Sequence, residues 1–353
     1  MNDTKPTLVE EQIKALKEAG APVSIGTVVA HKPGVKGPNR HILEKWLPTW
    51  VRNSYENFKF MGPRPHGLPF LRGSARGLPA VVVGIGPSLD QNIDKLRSFQ
   101  KNAIIISTDA AFRPLWVRGI LPHVVVNIDA GPNQHLLFTH VPTERTALLA
   151  STATDPATLR AWKGALLAFN MAHPGIEFMD LVLPSAFPTA GSLYVHGTVG
   201  NTAVLLAATM GCSRVLTVGM DLCYGALPPN AGPVGWKYRC QDYVPRPGEG
   251  WEAAELKVIY DNEARVRDAF EVELKGRKFM VDPELDMYRN SLLELAGALT
   301  ETEVVDCSVD GVLPAVGFRH QKFEDALLEH CGREIQPGES VALHLREILQ
   351  GRE

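Results

Sequence analysis

Five short runs of mostly aliphatic residues constrain the fold of this chain more than any other feature: AVVVG at 80–84, AIIIS at 103–107, HVVVNID at 123–129, ALLA near 148 and RVLTVG at 214–219. Their hydrophobic residues are continuous rather than alternating with polar ones, so each predicted strand is buried on both faces, and the segments between them suit crossover helices. Leu89, Ile93 and Leu96 give one such helix its apolar stripe, and Ser88 with Gln91 has the spacing of a capping box. The pattern predicts an α/β, Rossmann-like fold: a mainly parallel sheet with helices on both faces. A closing strand, EVVDCS at 303–308, precedes a turn at Gly311 and a C-terminal helix.

Upstream of the first run, Val9, Ile13 and Leu16 form one stripe of an amphipathic helix. A second helix is expected over 40–58, carrying Trp46 and Trp50 into the core on either side of Pro48. From Met61 to Pro79 the glycines and prolines predict a loop leading into the main domain. The expected division is a helical N-terminal extension at 1–78, a Rossmann-type catalytic domain at 79–331 and a C-terminal tail at 332–353. Between Leu222 and Trp251 the connection is longer than usual and reads as a functional lid or a disordered flap. Helices are expected at 252–270 and 284–299. Leu181 to Ser213 carries no Asp, Glu, Lys or Arg, but Pro184 and Pro188 interrupt it, so it reads as a buried loop and helix rather than a membrane span.

Composition excludes some partners. With 36 Lys and Arg against 39 Asp and Glu the net charge is -3, without the basic excess that neutralising many phosphates requires, so no nucleic-acid partner is expected. The 5 cysteines show neither a Cys-x-x-Cys pair nor zinc-ligand spacing, which fits a reducing compartment. The opening MNDTKPTLVEEQIKALKEAG lacks the apolar core of a secretory signal, and the protein is expected to be cytoplasmic.

Ligands of doubly wound sheets bind beyond the carboxyl ends of the strands. Gly84-Ile85-Gly86-Pro87-Ser88, Thr108-Asp109, Asp129 and Gly219-Met220-Asp221 all follow predicted strands, so a glycine loop and three carboxylates should face one crevice. The loop offers a ligand close approach to its backbone and a helix N-terminus for phosphate, although Leu89 stands where a dinucleotide fingerprint has its third glycine. An alternative is a tight strand–helix turn that binds nothing. Asp109 lies roughly where a ribose-binding carboxylate would follow. Asp129 and Asp221 suit magnesium held partly by substrate phosphates, or else cap helices. Gly197, Thr198 and Asn201, opening an apolar helix, suit a second anion cradle or equally a plain capped helix N-terminus, and His196 beside them is a candidate base or else a structural histidine.

GIGPSLDQNIDKL at 84–96, STDAAFRPLWVRGILPHVVVNIDA at 107–130, GTVGNTAVLLAATMGCSRVLTVGMDLCYG at 197–225 and VVDCSVDGVLPAVG at 304–317 together resemble the 6-hydroxymethylpterin diphosphokinase MptE-like family, which includes the Maf motility accessory factors. The resemblance covers roughly 79–328. It implies a nucleotide-dependent transferase. Maf relatives are associated with attaching nonulosonic acid sugars to flagellin and are similar in fold to sialyltransferases with CMP-activated donors. Archaeal relatives move pyrophosphate from ATP to a hydroxymethyl pterin with Mg2+. By this resemblance Gly84, Gly86, Pro87, Ser88 and Asp109 belong to the nucleotide-binding half, and Thr198, Asn201, Asp221 and Tyr224 to the second block. After Asp-Leu-x-Tyr, Maf-like relatives commonly carry a histidine; here Asn230 is nearby, which cannot act as a base, so either His196 or a carboxylate, Asp129 or Asp221, replaces it or the protein does different chemistry. The leading expectation is a glycosyltransferase using a nucleotide-activated sugar, with a protein such as flagellin as possible acceptor. The alternatives are a pterin pyrophosphokinase and a non-catalytic nucleotide-binding protein.

Overall fold

The computed structural model describes residues 40–336, apart from 140, 174–175, 196, 225–236, 245–254, 261–267 and 309–310. In chain order the strands are β1 (Pro79–Val83), β2 (Ile104–Thr108), β3 (Val124–Asn127), β4 (Ala147–Ser151), β5 (Leu166–Ala172), β6 (Ser192–Tyr194), β7 (Arg214–Val218), β8 (Lys237–Val244), β9 (Glu255–Tyr260), β10 (Phe270–Leu274), β11 (Arg277–Val281) and β12 (Glu303–Asp306). The principal helices are α1 (Arg40–Met61), α2 (Leu89–Leu96), α3 (Asp109–Val117), α4 (Pro156–Ala161), α5 (Val199–Thr209), α6 (Pro283–Ala298) and α7 (Phe323–His330).

Eight strands form one sheet in the order β12-β7-β1-β2-β3-β4-β5-β6. All its pairings are parallel. From β1 the chain steps outward to β6, then returns through α5 to lay β7 on the other side of β1. The order reverses there, so the crevice beyond β1 and β7 is the switch point at which such sheets bind ligands.

The continuous apolar runs are buried on both sides, as expected. Ala80, Val82, Ile104, Ile106, Val124 and Val126 pack in one core that includes α5, while Val81, Val83, Ile105, Leu216 and Val218 pack with residues of α2, α3 and α7. Helix α5 is apolar all round because it is enclosed all round: every residue from Gly200 to Thr209 is buried between the sheet and α6. The region 181–213 is accordingly a mostly buried stretch holding β6 and α5. Among the described residues no helix is long and apolar enough to cross a membrane.

Helix α1 runs three residues past the expected end at 58, with Pro48 inside it. Trp46 and Trp50 are only half-buried. They share one helix face with Asn53 and Asn57, at spacings of four, three and four residues, and it is these two asparagines, 1% and 0% exposed, that are enclosed. The following loop is more than a linker: Leu68 and Leu71 are fully buried in the main core, and Leu68 N–H donates to Ala190 O at 2.9 Å.

The helix expected over 252–270 is overturned. Residues 255–260 are strand β9, antiparallel to β8, and another strand starts at Phe270. In ELKVIY the apolar Leu256, Val258 and Tyr260 recur every second residue, a strand period rather than a helical one. Part of the expected lid at 222–251 is thus regular structure, while 225–236 and 245–251, with Asn230, lie outside the described residues, as do Val9, Ile13 and Leu16. The capping box is also absent: Ser88 makes no side-chain cap on α2, because its hydroxyl is bonded elsewhere.

Phe112 of α3 is fully buried, with ring centroids 6.1 Å from Phe138 and 5.5 Å from Trp162. Truncation leaves a cavity that this rigid cluster cannot fill. Phe112→Ala should lower unfolding free energy by about 3–5 kcal/mol in urea titrations, while a solvent-side change such as Tyr55→Ala should have little effect.

Candidate functional site

At the switch point lies a cavity of about 320 Å³, within the range of small-molecule sites. The β1 turn contributes Gly84, Ile85 and Gly86; the β2–α3 junction Thr108, Asp109 and Ala110; the loop after β3 Asp129, Asn133, Gln134 and Leu137. The start of α5 contributes Thr198, Val199 and Gly200, and the turn after β7 contributes Gly219 to Cys223; Leu285 and Tyr288 of α6 complete the wall. The three expected carboxylates therefore do meet in one crevice. No lysine, arginine or histidine lines it among the described residues.

The two glycine turns behave differently. In the first, Gly84 N–H donates to Val218 O (2.8 Å), Gly86 N–H to Gly219 O (2.7 Å) and Ser88 N–H to Asp221 Oδ2 (3.3 Å). Ser88 Oγ donates to the same carboxylate oxygen at 3.0 Å. These donors join β1 to β7 and are not open to a phosphate. The glycines have a packing reason as well, since a Cβ on Gly86 would overlap Asp221 Oδ2, and one on Gly84 would overlap Gly219 O and lie 2.8 Å from Met220 Sδ. A Cβ on Gly200 would collide with the same thioether, so Met220 fills the space between the β1 turn and α5.

The second turn is open. The first N–H groups of α5 have no intrahelical acceptors, Thr198 makes no side-chain cap, and Thr198, Val199 and Gly200 all face the cavity. A helix start of this kind accepts an anion. Thr108 adds a hydroxyl: it is 6% exposed, lines the cavity, and its Oγ1 has no hydrogen-bond partner among the described residues.

Each carboxylate is held differently. Asp109 is 5% exposed; its Oδ2 accepts from Asn127 Nδ2 at 2.7 Å and its Oδ1 from Ala110 N–H at 2.7 Å. Asp129 is half-buried, with Oδ1 accepting from Gly131 N–H at 2.8 Å. Asp221 is 3% exposed, and burial pushes its carboxyl up to about 7 against the lowering influence of the Ser88 hydrogen bonds, with the charge of Asp306 adding to the rise. It is therefore the group poised to exchange a proton near neutral pH. Two lining residues hold strained backbone, Asn133 at φ 71° and Leu222 at φ 53°. The left-handed region is rare for leucine, and Leu222 directly follows Asp221.

Several expected site residues support the cavity from behind. Pro87 and Ser88 do not line it. Gly197, at φ 83°, packs against the Tyr288 ring; Asn201 donates Nδ2–H to Tyr288 O at 3.0 Å; and Tyr224 donates its hydroxyl to Asp282 Oδ2 at 2.9 Å. His196 lies outside the described residues. The motifs did not point to Asn133, Gln134, Leu137, Leu285 or Tyr288, since a 3-10 turn and a distant helix carry no local signature of a shared wall. All five cysteines are buried and free of disulfides; burial pushes Cys212 and Cys331 up to about 12, which suits packing rather than nucleophilic roles.

Residues 52–226 match the family model described as 6-hydroxymethylpterin diphosphokinase MptE-like, so the resemblance drawn from the motifs is shown over that stretch. The match starts within α1 and ends just after the β7 turn. A 6-hydroxymethyl-7,8-dihydropterin pyrophosphokinase from Methanothermobacter thermautotrophicus is 25% identical over 143 residues, 40% of this chain and 56% of that protein. An uncharacterized Treponema pallidum protein is 30% identical over 80 residues, 23% of this chain and 37% of that one. The chain thus spans about a third to a half of these curated relatives. In fold it is similar to the Maf glycosyltransferase from Magnetospirillum magneticum AMB-1, with a TM-score of 0.50 and 20% identity over 86% of this chain and 44% of that one.

Two outcomes follow from the Asp221 geometry. Because its folded carboxyl titrates near 7 and its unfolded one near 3.8, the folded state alone holds that proton between those values, and its contribution to stability falls as pH rises through the interval. Asp221→Asn removes this loss, so its stability relative to wild type should increase from pH 4 to 7, by at most about 1.4 kcal/mol per pH unit, and level off above. Urea titrations of both proteins across that range test it. Gly86→Ala forces a methyl onto the Asp221 carboxylate and should lower Tm, whereas Gly62→Ala, where a Cβ meets nothing within 4 Å but the backbone is left-handed, should cost only about 1 kcal/mol.

Proposed function

We propose that this protein is a transferase acting on a nucleotide-activated sugar, with a donor that carries a single phosphate, of the CMP type. The observation that carries this reading is the charge of the cavity: three carboxylates, one uncapped helix start and no basic side chain among the described lining residues. A helix N-terminus presents about half a unit of positive charge and a few N–H donors, enough to receive one phosphate. A triphosphate would bring several negative charges to a wall already bearing Asp109, Asp129 and Asp221. Carboxylates suit hydroxyl donors instead, the groups a sugar and a ribose offer in quantity.

In this reading Thr198 and the first turn of α5 receive the phosphate, and Thr108 with Asp109 binds sugar or ribose hydroxyls. Asp221 takes the proton from the attacking hydroxyl of the acceptor, a role for which its titration near neutrality fits it. The likeness in fold to a Maf glycosyltransferase supports the class of reaction, and a protein hydroxyl such as one on flagellin is an acceptor of the required chemistry.

A second reading is favoured by the identity with a pyrophosphokinase: Mg2+–ATP as donor and a pterin alcohol as acceptor. The chain has residues for such a metal. Among the described residues no three His, Cys, Asp or Glu side chains gather as a metal site. Magnesium bound through substrate phosphates needs only one or two carboxylates, however, and Asp129 and Asp221, which line the same cavity, would hold the ion while it neutralises phosphate charge.

Thermal shifts with CMP, CDP, UDP, ADP and ATP, each with and without magnesium, separate the readings, since a ligand of the folded state raises Tm by mass action. We expect CMP to stabilise the protein without magnesium and Asp109→Ala to weaken that response at least tenfold. Stabilisation by ATP alone, dependent on magnesium and lost in Asp129→Ala, would replace the first reading with the second.

A further inference from the structure

Behind the cavity lies a layer of fully buried polar side chains that neither reading uses. Asn127 and Thr154 are 0% exposed, and neither touches the cavity. Asn127 donates Nδ2–H to Asp109 Oδ2, while the Thr154 hydroxyl lies in hydrogen-bonding contact with Asn127 Oδ1 and 2.8 Å from the carbonyl of Asp129. The Asp109 carboxylate only accepts, so the Asn127 amide turns its NH2 toward it and its oxygen toward Thr154, whose one hydroxyl proton has both that oxygen and the carbonyl of Asp129 within reach.

This arrangement is anchored from α1. Asn57 Nδ2 donates to Thr152 O (3.0 Å) and Thr154 O (2.9 Å), and Asn53 Nδ2 donates to Ala130 O (3.0 Å) and Ala153 O (3.3 Å). Asp155 N–H donates to Asp129 O at 3.1 Å. Asn53 thereby ties the loops after β3 and β4 together, and Asn57, one turn on, holds the loop after β4. Those loops carry Asp129 and the threonine beside Asn127.

We infer that Asn127 and Thr154 are positioning residues for the Asp109 carboxylate, and that α1 acts on the cavity through them. The inference rests on the reading of the cavity as a nucleotide site. Its basis is that a buried carboxylate keeps one orientation only where a fixed donor holds it, and Asn127 is a donor whose own orientation is determined by its neighbours. Asp109 would bind ligand; Asn127 and Thr154 would act only through it.

The test is a double-mutant cycle on the full chain, with CMP and ATP, each with and without magnesium, as probes. Thr154→Val, nearly the same shape without the hydroxyl, and Asn127→Leu should each weaken binding of the responding nucleotide about tenfold, and Thr154→Ser should restore it. In an Asp109→Asn background the same two changes should add little. Equal losses in both backgrounds, or wild-type affinity in Thr154→Val, would overturn the inference while leaving the nucleotide reading intact. Should wild type respond to none of the probes, that reading fails by itself, and urea titrations of the same variants still decide the positioning claim. Asn127→Leu should destabilise the wild-type background more than the Asp109→Asn background, because only the former takes the Asn127 donor away from a buried carboxylate; equal destabilisation overturns the claim.

Discussion

The β1 turn and the β7 turn are bonded to each other independently of any ligand. Gly84 and Gly86 donate across the seam, and Asp221 receives both donors of Ser88. The cavity depends on this seam. It sets the floor on which Met220 lies, places Asp221 where burial raises its titration toward neutrality, and leaves the start of α5 as the open set of backbone donors. A glycine-rich strand–helix turn is commonly read as a phosphate cradle, but here its glycines answer first to the close approach of two backbones.

How far the residues announce this arrangement depends on whether the cause is local. The strands of the central sheet that carry the cavity are evident because a strand buried on both faces must be continuously apolar, and Val81 or Ile105 has no other environment open to it. The three carboxylates were legible because strand ends converge in such a sheet. Strand order was not, since nothing in RVLTVG states that it returns beside β1 rather than continuing past β6. The spacing of Ser88 to Gln91 predicts a helix cap, whereas its partner, Asp221, is 133 residues away. Residues 255–260 carry the alternation of a strand, Leu256, Val258 and Tyr260, within the stretch expected to be a helix over 252–270. Leu285 and Tyr288 reach the cavity from a helix whose pattern records only that it packs somewhere.

The electrostatics separate binding from stability. Asp109 and Asp129 are held by neutral donors, an asparagine amide and backbone N–H groups, and no lysine or arginine among the described lining residues neutralises them. Among the described residues these carboxylates are met by dipoles. Such a wall favours ligands that bring protons to share, and the start of α5 offers an anion the N–H groups of its first turn.

Met220 lies between Gly84 and Gly200, and neither glycine has room for a methyl group while the thioether is there. Positions 200 and 220 therefore change as a pair in the course of sequence divergence, while Gly84 is held to glycine by the Gly219 backbone as well. A shorter residue at 220 would have to come first, and only then would alanine be tolerated at 200; taken in the opposite order, the first step passes through a clash. Relatives that carry a smaller residue at 220 are where a non-glycine at the start of the buried helix should be sought, and their cavities would differ in the wall that this helix supplies without any change in the carboxylates.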